Sequence, residues 1–258
     1  MDFRPVNADH AVLSASFSAA LDKPVSGSRL QLLSNRQDLL AELPAVQTPQ
    51  GFELQVVPGQ VVPHPQKLQG IQLSHLRPDG TAAWALRLLG IDLAVECNRY
   101  TRWDHVWDTA RRYLKAGFEA AGEHKVAAIG FVMVDAFVAK REDYDLQSLL
   151  RRGPLLADRI FSAGPTWHNY LGWFDERPSF VSNCHWLNQL NVEAVRLAPG
   201  DLRVQIAHNQ ELRFEPASEI PSEAGLDLWF SELHLNNKRV LADLLEPSVS
   251  GQIGLASK

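Results

Sequence analysis

The sequence predicts an α+β fold, with mostly antiparallel, curved sheets and a few helices packed on one face. Three observations support this class: an amphipathic helix over residues 101–122, an apolar segment over 126–138, and repeated alternation of apolar and polar residues after residue 166. Because strand–helix–strand order recurs in both parts of the chain, two similar strand-helix halves are an open alternative.

The first elements follow from hydrophobic spacing and from proline. Residues 10–21 predict a strand, and the clustered leucines of 28–43 predict a helix that ends before Pro44. A short strand is expected over 52–57. Three prolines predict that 58–66 is an exposed connector.

A hairpin is predicted around the turn at residues 77–80, Arg-Pro-Asp-Gly, with arms over 68–76 and 81–97. The apolar alternation of the second arm changes phase near Leu89-Gly90. We interpret this change as a β-bulge within one continuous strand.

The helix over 101–122 has the clearest signature in the chain. We expect Thr101 to cap its first amides with Asp104 as the capping-box partner, and Gly122 to end it. Its apolar face comprises Trp103, Val106, Trp107, Ala110, Leu114, Gly117, Phe118 and Ala121. The following segment, 126–138, is apolar on both faces and predicts a central strand.

The second half is predicted to be mostly strands. A short helix over 143–150 and a polar break at 151–154 precede it. Strands are expected over 167–174, 180–197, 202–214 and 226–230, and a final helix over 231–245.

Length and charge limit the classes of protein to consider. With 258 residues, of which 45% are hydrophobic, the chain can bury a sizeable core. We expect a single α+β domain over 1–258, or its subdivision into 1–150 and 151–258. A net charge of −5 and a pI near 6.0 argue against a broad basic surface, so no nucleic-acid partner is expected.

Neither secretion nor membrane insertion is predicted. The first residues show no basic segment followed by an apolar core, and no apolar run approaches the about 18 residues of a membrane span. Cys97 and Cys184 are too far apart in sequence to suggest a disulfide framework or a zinc site, so buried reduced thiols are expected. We therefore expect a cytoplasmic protein without membrane contact.

The common catalytic motifs do not occur in the sequence. It contains no Walker-type loop, GxSxG, HExxH or CxxC, and its nine histidines are scattered without metal-ligand spacing. We therefore predict no catalytic residue, no metal site and no cofactor, and expect binding rather than catalysis.

Aromatic side chains are densest between residues 167 and 186. Tryptophan and tyrosine suit partner surfaces, but the same residues can fill a core between sheets, and both interpretations stay open. Arg151-Arg152, just upstream, could contact an anion or belong to a solvated linker.

Asp135 interrupts the apolar segment 126–138, on the same face as Phe131 and Met133. A carboxyl group in that place must find partners or have a raised pKa. It is either a functional acid or a strand-end residue that reaches a turn amide or Arg99.

Three short motifs follow one another between residues 68 and 245. They are Tyr100-Thr101-Arg102-Trp103-Asp104, Ile129-Gly130-Phe131 with Asp135-Ala136-Phe137, and Leu233-His234 with Val240-Leu241. Their order resembles a sporadically distributed family of uncharacterised bacterial proteins of about this length. The resemblance implies the α+β architecture and a bacterial origin, and it implies no catalytic residue.

Our leading hypothesis is a non-enzymatic bacterial binding protein, such as an adaptor, a sensor or an antitoxin-like partner, that acts through protein–protein contacts. We would look for its protein partner among the products of adjacent genes. The alternative is a small-molecule or nucleotide-binding protein, or an enzyme, with a pocket between helix 102–121 and the sheet. The candidate binding residues are Trp167, His168, Tyr170, Trp173, His185, Trp186, Arg99 and Asp135.

Overall fold

A computed structural model of the protein describes residues 3–7, 10–51, 54–57, 60–63, 67–140, 144–175, 178–197 and 200–255. The strands are β1 (Arg4–Pro5), β2 (Val12–Leu21), β3 (Ala45–Gln47), β4 (Gln50–Gly51), β5 (Leu54–Val57), β6 (Gln60–Pro63), β7 (Lys67–Leu68), β8 (Gly70–Leu76), β9 (Ala82–Leu89), β10 (Asp92–Cys97), β11 (Lys125–Ala139), β12 (Trp167–Asp175), β13 (Cys184–Arg196) and β14 (Leu202–Glu219). The α-helices are α1 (Gly27–Ser34), α2 (Gln37–Glu42), α3 (Trp103–Ala121), α4 (Glu223–Leu244) and α5 (Pro247–Gln252).

The predicted α+β class is confirmed. An open, mostly antiparallel sheet has the strand order β12-β13-β14-β11-β2-β10-β9-β8-β3, and β1 pairs with β11. Two further pairs, β4 with β7 and β5 with β6, form small separate sheets. Within the described ranges, no helix is both long and apolar enough to cross a membrane.

The chain forms two compact units, which are described in turn. Unit 1 comprises Met1–Ala15, Gly130–Arg213 and Ser222–Lys258, and unit 2 comprises Ser16–Ile129 and Phe214–Pro221. The expected single domain, or its division at residue 150, stays a prediction.

In unit 2, the predicted apolar face of α3 packs on β9 and β10. Trp107 and Leu114 are buried, and the Trp107 ring centroid lies 5.6 Å from that of Phe17 on β2. Gly117 approaches Leu93 on β10 so closely that a methyl group at Gly117 would overlap the leucine side chain. The packing of α3 therefore depends on close apolar contact.

The two ends of α3 agree with the sequence to different extents. Gly122 ends the helix with a φ of 77°, in the left-handed region, as predicted. The predicted cap at Thr101 is wrong, because the N-cap residue is Arg102 and no side chain caps the helix there. Apolar packing is therefore what the structure offers to stabilise this end of the helix.

Two further predictions for unit 2 are wrong. The phase change near Leu89 is a chain reversal rather than a bulge: Gly90 has a φ of 60°, and β9 and β10 pair as antiparallel strands. The predicted helix over 28–43 consists of α1 and α2, with a break at Asn35-Arg36. Of the predicted connector 58–66, residues 60–63 form β6 and the others lie outside the described residues.

In unit 1, α4 packs on the face of β11 that carries Phe131, whose ring lies 6.3 Å from that of Phe230 in an edge-on arrangement. The predicted strand over 226–230 is wrong, because these residues belong to α4. Five residues are too few to separate a buried helical turn from a buried strand by periodicity. The helix begins at Ser222, whose hydroxyl accepts a hydrogen bond from the Gly225 amide.

The segment that leads to β12 is less regular than predicted. The expected helix over 143–150 is a short 3-10 helix at Leu146–Ser148, and residue 143 lies outside the described residues. A second 3-10 helix lies at Asp158–Ser162. Between them, residues 151–154 form the polar break that the sequence predicts.

Candidate functional site

Strand β12 has two chemically different faces. Its half-buried or buried residues are Trp167, Asn169, Leu171, Trp173 and Asp175, and they alternate with the exposed His168, Tyr170, Gly172 and Phe174. We call these the inner and the outer face. The strand lies at one edge of the sheet and pairs with β13.

The predicted aromatic set is divided between these faces. Trp167 lies on the inner face and donates to the Tyr144 hydroxyl at 2.7 Å, while Trp186 is buried in β13, edge-on to Phe180. Tyr170 is 58% exposed on the outer face. Some aromatic residues of the set therefore fill the core, and others are exposed on the surface.

The remaining predicted residues do not come together as one site. His168 and His185 are exposed on β12 and β13. Asp135 lies on β11 in unit 1, whereas Arg99 follows β10 and belongs to unit 2.

Asp135 is 3% exposed, and burial raises the pKa of its carboxyl group to about 7. Within the described part of the chain, no hydrogen bond or ion pair to this carboxyl group is found. Asp135 is therefore a buried acid on the α4-facing side of β11, and the alternative in which it reaches a turn amide or Arg99 is wrong.

A chain of polar side chains runs through the core of unit 1, between β12, β13, β14 and α4. We call it the inner polar network, and it comprises Asp175, Asn188, His208, Gln210, Asn236 and Asn237. At its β12 end, the Asp175 carboxylate accepts from Trp173 Nε1 at 3.2 Å and from Asn188 Nδ2 at 2.8 Å. These bonds fix the Trp173 indole and the orientation of the Asn188 amide.

The His208 ring lies between two asparagine side chains of the network. Because Asn188 Nδ2 faces Asp175, its Oδ1 faces His208 Nε2 at 2.9 Å. His208 is 2% exposed, and burial lowers its pKa to about 4. On the other side of the ring, Asn237 Oδ1 lies 3.1 Å from His208 Nδ1. A neutral ring carries one N–H, so it donates to one of these two amide oxygens.

The other end of the network is anchored on the backbone of α4. Gln210 Nε2 donates to the Leu233 carbonyl at 2.8 Å, which directs its Oε1 towards Asn236. Asn236 Nδ2 donates to this oxygen at 2.9 Å and to Asn188 Oδ1 at 3.0 Å. The network is thus continuous from the helix to Asp175, and its hydrogen bonds set the orientations of the Asn188, Gln210 and Asn236 amides.

A cavity of about 560 Å³ lies beside the inner polar network, between residues 151–156, the end of β12 and one face of α4. Its lining residues are Arg151, Arg152, Gly153, Pro154, Leu155, Leu156, Trp173, Asp175, Asn236, Arg239, Val240, Asp243 and Leu244. All of them belong to unit 1, and none belongs to the helix 102–121 that was expected to border a pocket.

Two sets of hydrogen bonds hold the loop side of this cavity in place. Asn169 on β12 accepts from the Ala157 amide at 3.0 Å and donates to the Leu155 carbonyl at 3.3 Å. Arg151 Nη2 donates to the carbonyls of Ala242 and Asp243 at the end of α4. The loop is therefore tied both to the strand and to the helix that complete the cavity.

The described residues contain no group of three or more His, Cys, Asp or Glu side chains arranged to hold a metal ion. The chain matches no protein-family model and no curated protein. The family resemblance therefore stays a prediction, and function has to be inferred from the geometry of unit 1.

Sequence reasoning missed most of the inner polar network, although a signal was present. Along β13 and β14, Asn188, His208 and Gln210 occupy positions in the apolar phase of the alternation. A polar residue in that phase is expected to be buried and to need a partner. The partners Asn236 and Asn237 lie within the predicted helix over 231–245, but the sequence does not show which strands this helix contacts.

Proposed function

We propose that the protein is a small-molecule-binding protein whose ligand occupies the cavity of unit 1. The observation that carries the proposal is the polar wall of this cavity. Trp173, Asp175 and Asn236 are held by the inner polar network, so the groups that would contact a ligand are oriented before it binds. The volume of about 560 Å³ lies in the range of ligand sites.

Binding rather than catalysis is the better proposal for this site. Both ring nitrogens of His208, the histidine of the network, are already engaged by Asn188 and Asn237. A general base needs a nitrogen within reach of the substrate proton. His208 therefore supports the wall of the cavity instead of reacting with its contents.

A thermal-shift screen with nucleotides, amino acids, sugar phosphates and short carboxylates tests this proposal. We expect at least one class to raise the melting temperature by several degrees at saturation. Gly153→Trp places an indole at a lining position with open space around it and should abolish the shift. Gly164→Trp is the matched control, since Gly164 is equally open but does not line the cavity.

Two results would overturn the proposal. The first is a panel in which no compound changes the melting temperature. The second is a set of shifts that Gly153→Trp leaves intact, because the ligands would then bind somewhere else.

A second proposal, a protein–protein contact of the adaptor, sensor or antitoxin-like type, is supported by the outer face of β12. Tyr170 and Phe174 are 58% and 64% exposed on this edge strand. The strand contains no lysine, arginine or proline, which are residues that commonly protect an edge. The fitting occupant is an extended segment of a partner protein that adds a strand to β12.

Co-purification with the product of an adjacent gene tests this second proposal. We expect a complex whose mass, measured by light scattering, falls to that of the free protein in Phe174→Lys. Leu228→Lys, a substitution of an exposed leucine on α4, should retain the complex. A complex that survives Phe174→Lys, or the absence of a complex with the wild-type chain, would contradict it.

We also propose that the protein acts in the cytoplasm. Cys97 and Cys184 are both free and buried, which suits a reducing compartment. Fractionation of the host cell tests this, and recovery of the protein outside the cytoplasmic fraction would contradict it.

A further inference from the structure

The three arginines that line the cavity differ in how far their guanidinium groups are engaged. Arg151 donates to carbonyls at the end of α4, and Arg152 pairs with Asp158 at 2.9 Å. Arg239 is exposed on α4, and within the described ranges it has no hydrogen bond or ion pair. Arg239 is therefore the guanidinium group whose donors are all open to an anion.

The charges around the cavity favour an anionic ligand. Asp175 and Asp243 are the carboxylates of the lining, and three arginines outnumber them. Asp175 is already a double acceptor within the inner polar network. The Arg239 end of the cavity therefore presents donors and positive charge.

The opposite end of the cavity presents acceptors. Asn236 Nδ2 donates one hydrogen to Asn188 and the other to Gln210, so the atom left to contact a ligand is the acceptor Oδ1. The two oxygens of Asp175 accept one bond each and keep further lone pairs. A ligand at this end must therefore supply N–H or O–H donors.

Trp173 adds a flat apolar surface between these two ends. One face of its indole is stacked on His208, with ring centroids 6.0 Å apart and an interplanar angle of 12°. Its Nε1 is bonded to Asp175, so the ring cannot rotate without losing that hydrogen bond. A planar group can stack on the opposite face of the indole.

We infer that the cavity binds a nucleoside monophosphate, with the base stacked on Trp173, its N–H donors at Asp175 and Asn236, and the phosphate at Arg239. This inference rests on the proposed small-molecule site and names its ligand class. A free aromatic amino acid also combines an N–H donor, an aromatic ring and an anionic group. It would, however, leave much of the 560 Å³ of the cavity empty. A phosphate group carries more negative charge and one more acceptor oxygen than a carboxylate, and it can also accept two parallel hydrogen bonds from a guanidinium group.

Isothermal titration calorimetry with matched ligands tests the inference. AMP is compared with adenosine, which lacks the phosphate, and with purine riboside 5′-monophosphate, which lacks the exocyclic amino group. We expect each loss to weaken binding by about tenfold, the effect of one charge-assisted contact. Free tryptophan and inorganic phosphate are titrated in the same way, and both should bind more weakly than AMP.

Two variants assign the contacts to residues. Arg239→Gln should remove the preference for AMP over adenosine, while Lys238→Gln, a neighbouring exposed cation outside the lining, should retain it. Asp175→Asn should reduce the preference for AMP over purine riboside 5′-monophosphate. For each variant, the ratio of its affinities for the two ligands is compared with the wild-type ratio. A general loss of stability would lower both affinities and leave this ratio unchanged.

The inference and the proposed function can fail separately. Equal affinities for AMP and adenosine, tighter binding of tryptophan than of AMP, or an AMP preference that survives Arg239→Gln would overturn the nucleotide class. If other compounds of the panel still bind and Gly153→Trp removes their binding, the small-molecule site stands. If no compound binds, both are overturned.

Discussion

Helices α3 and α4 both bury one side, but the two buried surfaces differ in chemistry. Against α3, β9 and β10 present leucine and alanine side chains, and the helix contributes Trp107, Leu114 and Gly117. Against α4, the network side chains of β13 and β14 meet Asn236 and Asn237. Helix α3 meets β9 and β10 through apolar contact, and Tyr113 and Arg112 hydrogen-bond to Glu42 on α2 rather than to these strands. Helix α4 meets β13 and β14 through apolar contact combined with directed hydrogen bonds.

This difference supports the proposed ligand site in unit 1. Burying amides and a histidine costs free energy unless every group finds a partner, so a purely apolar interface is the simpler way to attach a helix. Each side chain of the inner polar network has at least one hydrogen-bond partner, and the network holds Trp173 and Asp175 at the wall of the cavity. The buried polar groups at the α4 interface therefore give the cavity a wall of defined orientation. The α3 interface, in contrast, stabilises the fold.

The largest expected effect tests the apolar side of the comparison. Leu114 on α3 is fully buried, and Leu114→Ala should lower the free energy of unfolding by about 3 kcal/mol, since it removes buried methyl groups and leaves a cavity. Urea denaturation measures this change. Leu235→Ala on α4, where the leucine is 44% exposed, is the control and should change stability by less than about 0.5 kcal/mol.

If Leu114→Ala and Leu235→Ala have similar effects, α3 is not the closely packed element described above. The contrast between the two helices would then be lost.

The next effect is the pH dependence that arises from His208. Its pKa is about 4 in the folded protein, below the ordinary value, so the unfolded chain binds the proton first as the pH falls. Its contribution to stability is complete above about pH 6.5 and is lost progressively towards pH 4, by about 3 kcal/mol in all. The measurement is the difference in unfolding free energy between wild type and His208→Gln at several pH values.

The unfolding free energy of the wild type is compared with that of His208→Gln because other groups titrate in the same pH range. His234 also has its pKa lowered to about 4, and Asp135, with its pKa raised to about 7, contributes in the opposite direction. Asp135 favours the folded state more as the pH falls from 7 towards 4. A wild-type advantage over His208→Gln that does not change with pH would show that His208 is not buried in its neutral form.

The smallest effect compares two asparagines on the same strand. Asn188 is fully buried in the inner polar network, while Asn191 is half-buried in the opposite phase of β13. Asn188→Ala should cost about 2 kcal/mol, because it leaves buried groups of Asp175 and His208 without their partner. Asn191→Ala should cost well under about 1 kcal/mol. Equal losses in thermal or urea unfolding would mean that the network adds nothing to ordinary strand packing.

Much of the fold could be predicted because its signals are local. The stripe of α3 and the double-sided apolar pattern of β11 lie within single elements, and both were placed correctly. The reversal at Gly90 was missed because a bulge and a tight turn produce the same phase change. The start of α4 was missed because a five-residue apolar run has no resolvable period.

The site was harder to predict because its parts converge from distant segments. Trp173 and Arg151-Arg152 were singled out from local composition, and all three line the cavity. Arg239 had no such signal, since an exposed arginine on a helix is ordinary in sequence. Its significance comes from a cavity that forms only after α4 packs beside residues 151–156.

The most direct test of the account is a ¹⁵N spectrum of the tryptophan indole N–H groups during titration with AMP. The Trp173 cross-peak, identified by its loss in Trp173→Phe, should move as the cavity of unit 1 fills. Trp103 and Trp107, whose rings stack on each other along α3, should stay in place. Movement of the α3 tryptophans while Trp173 stays fixed, or no movement at all, would contradict the assignment of the ligand site to the α4 interface.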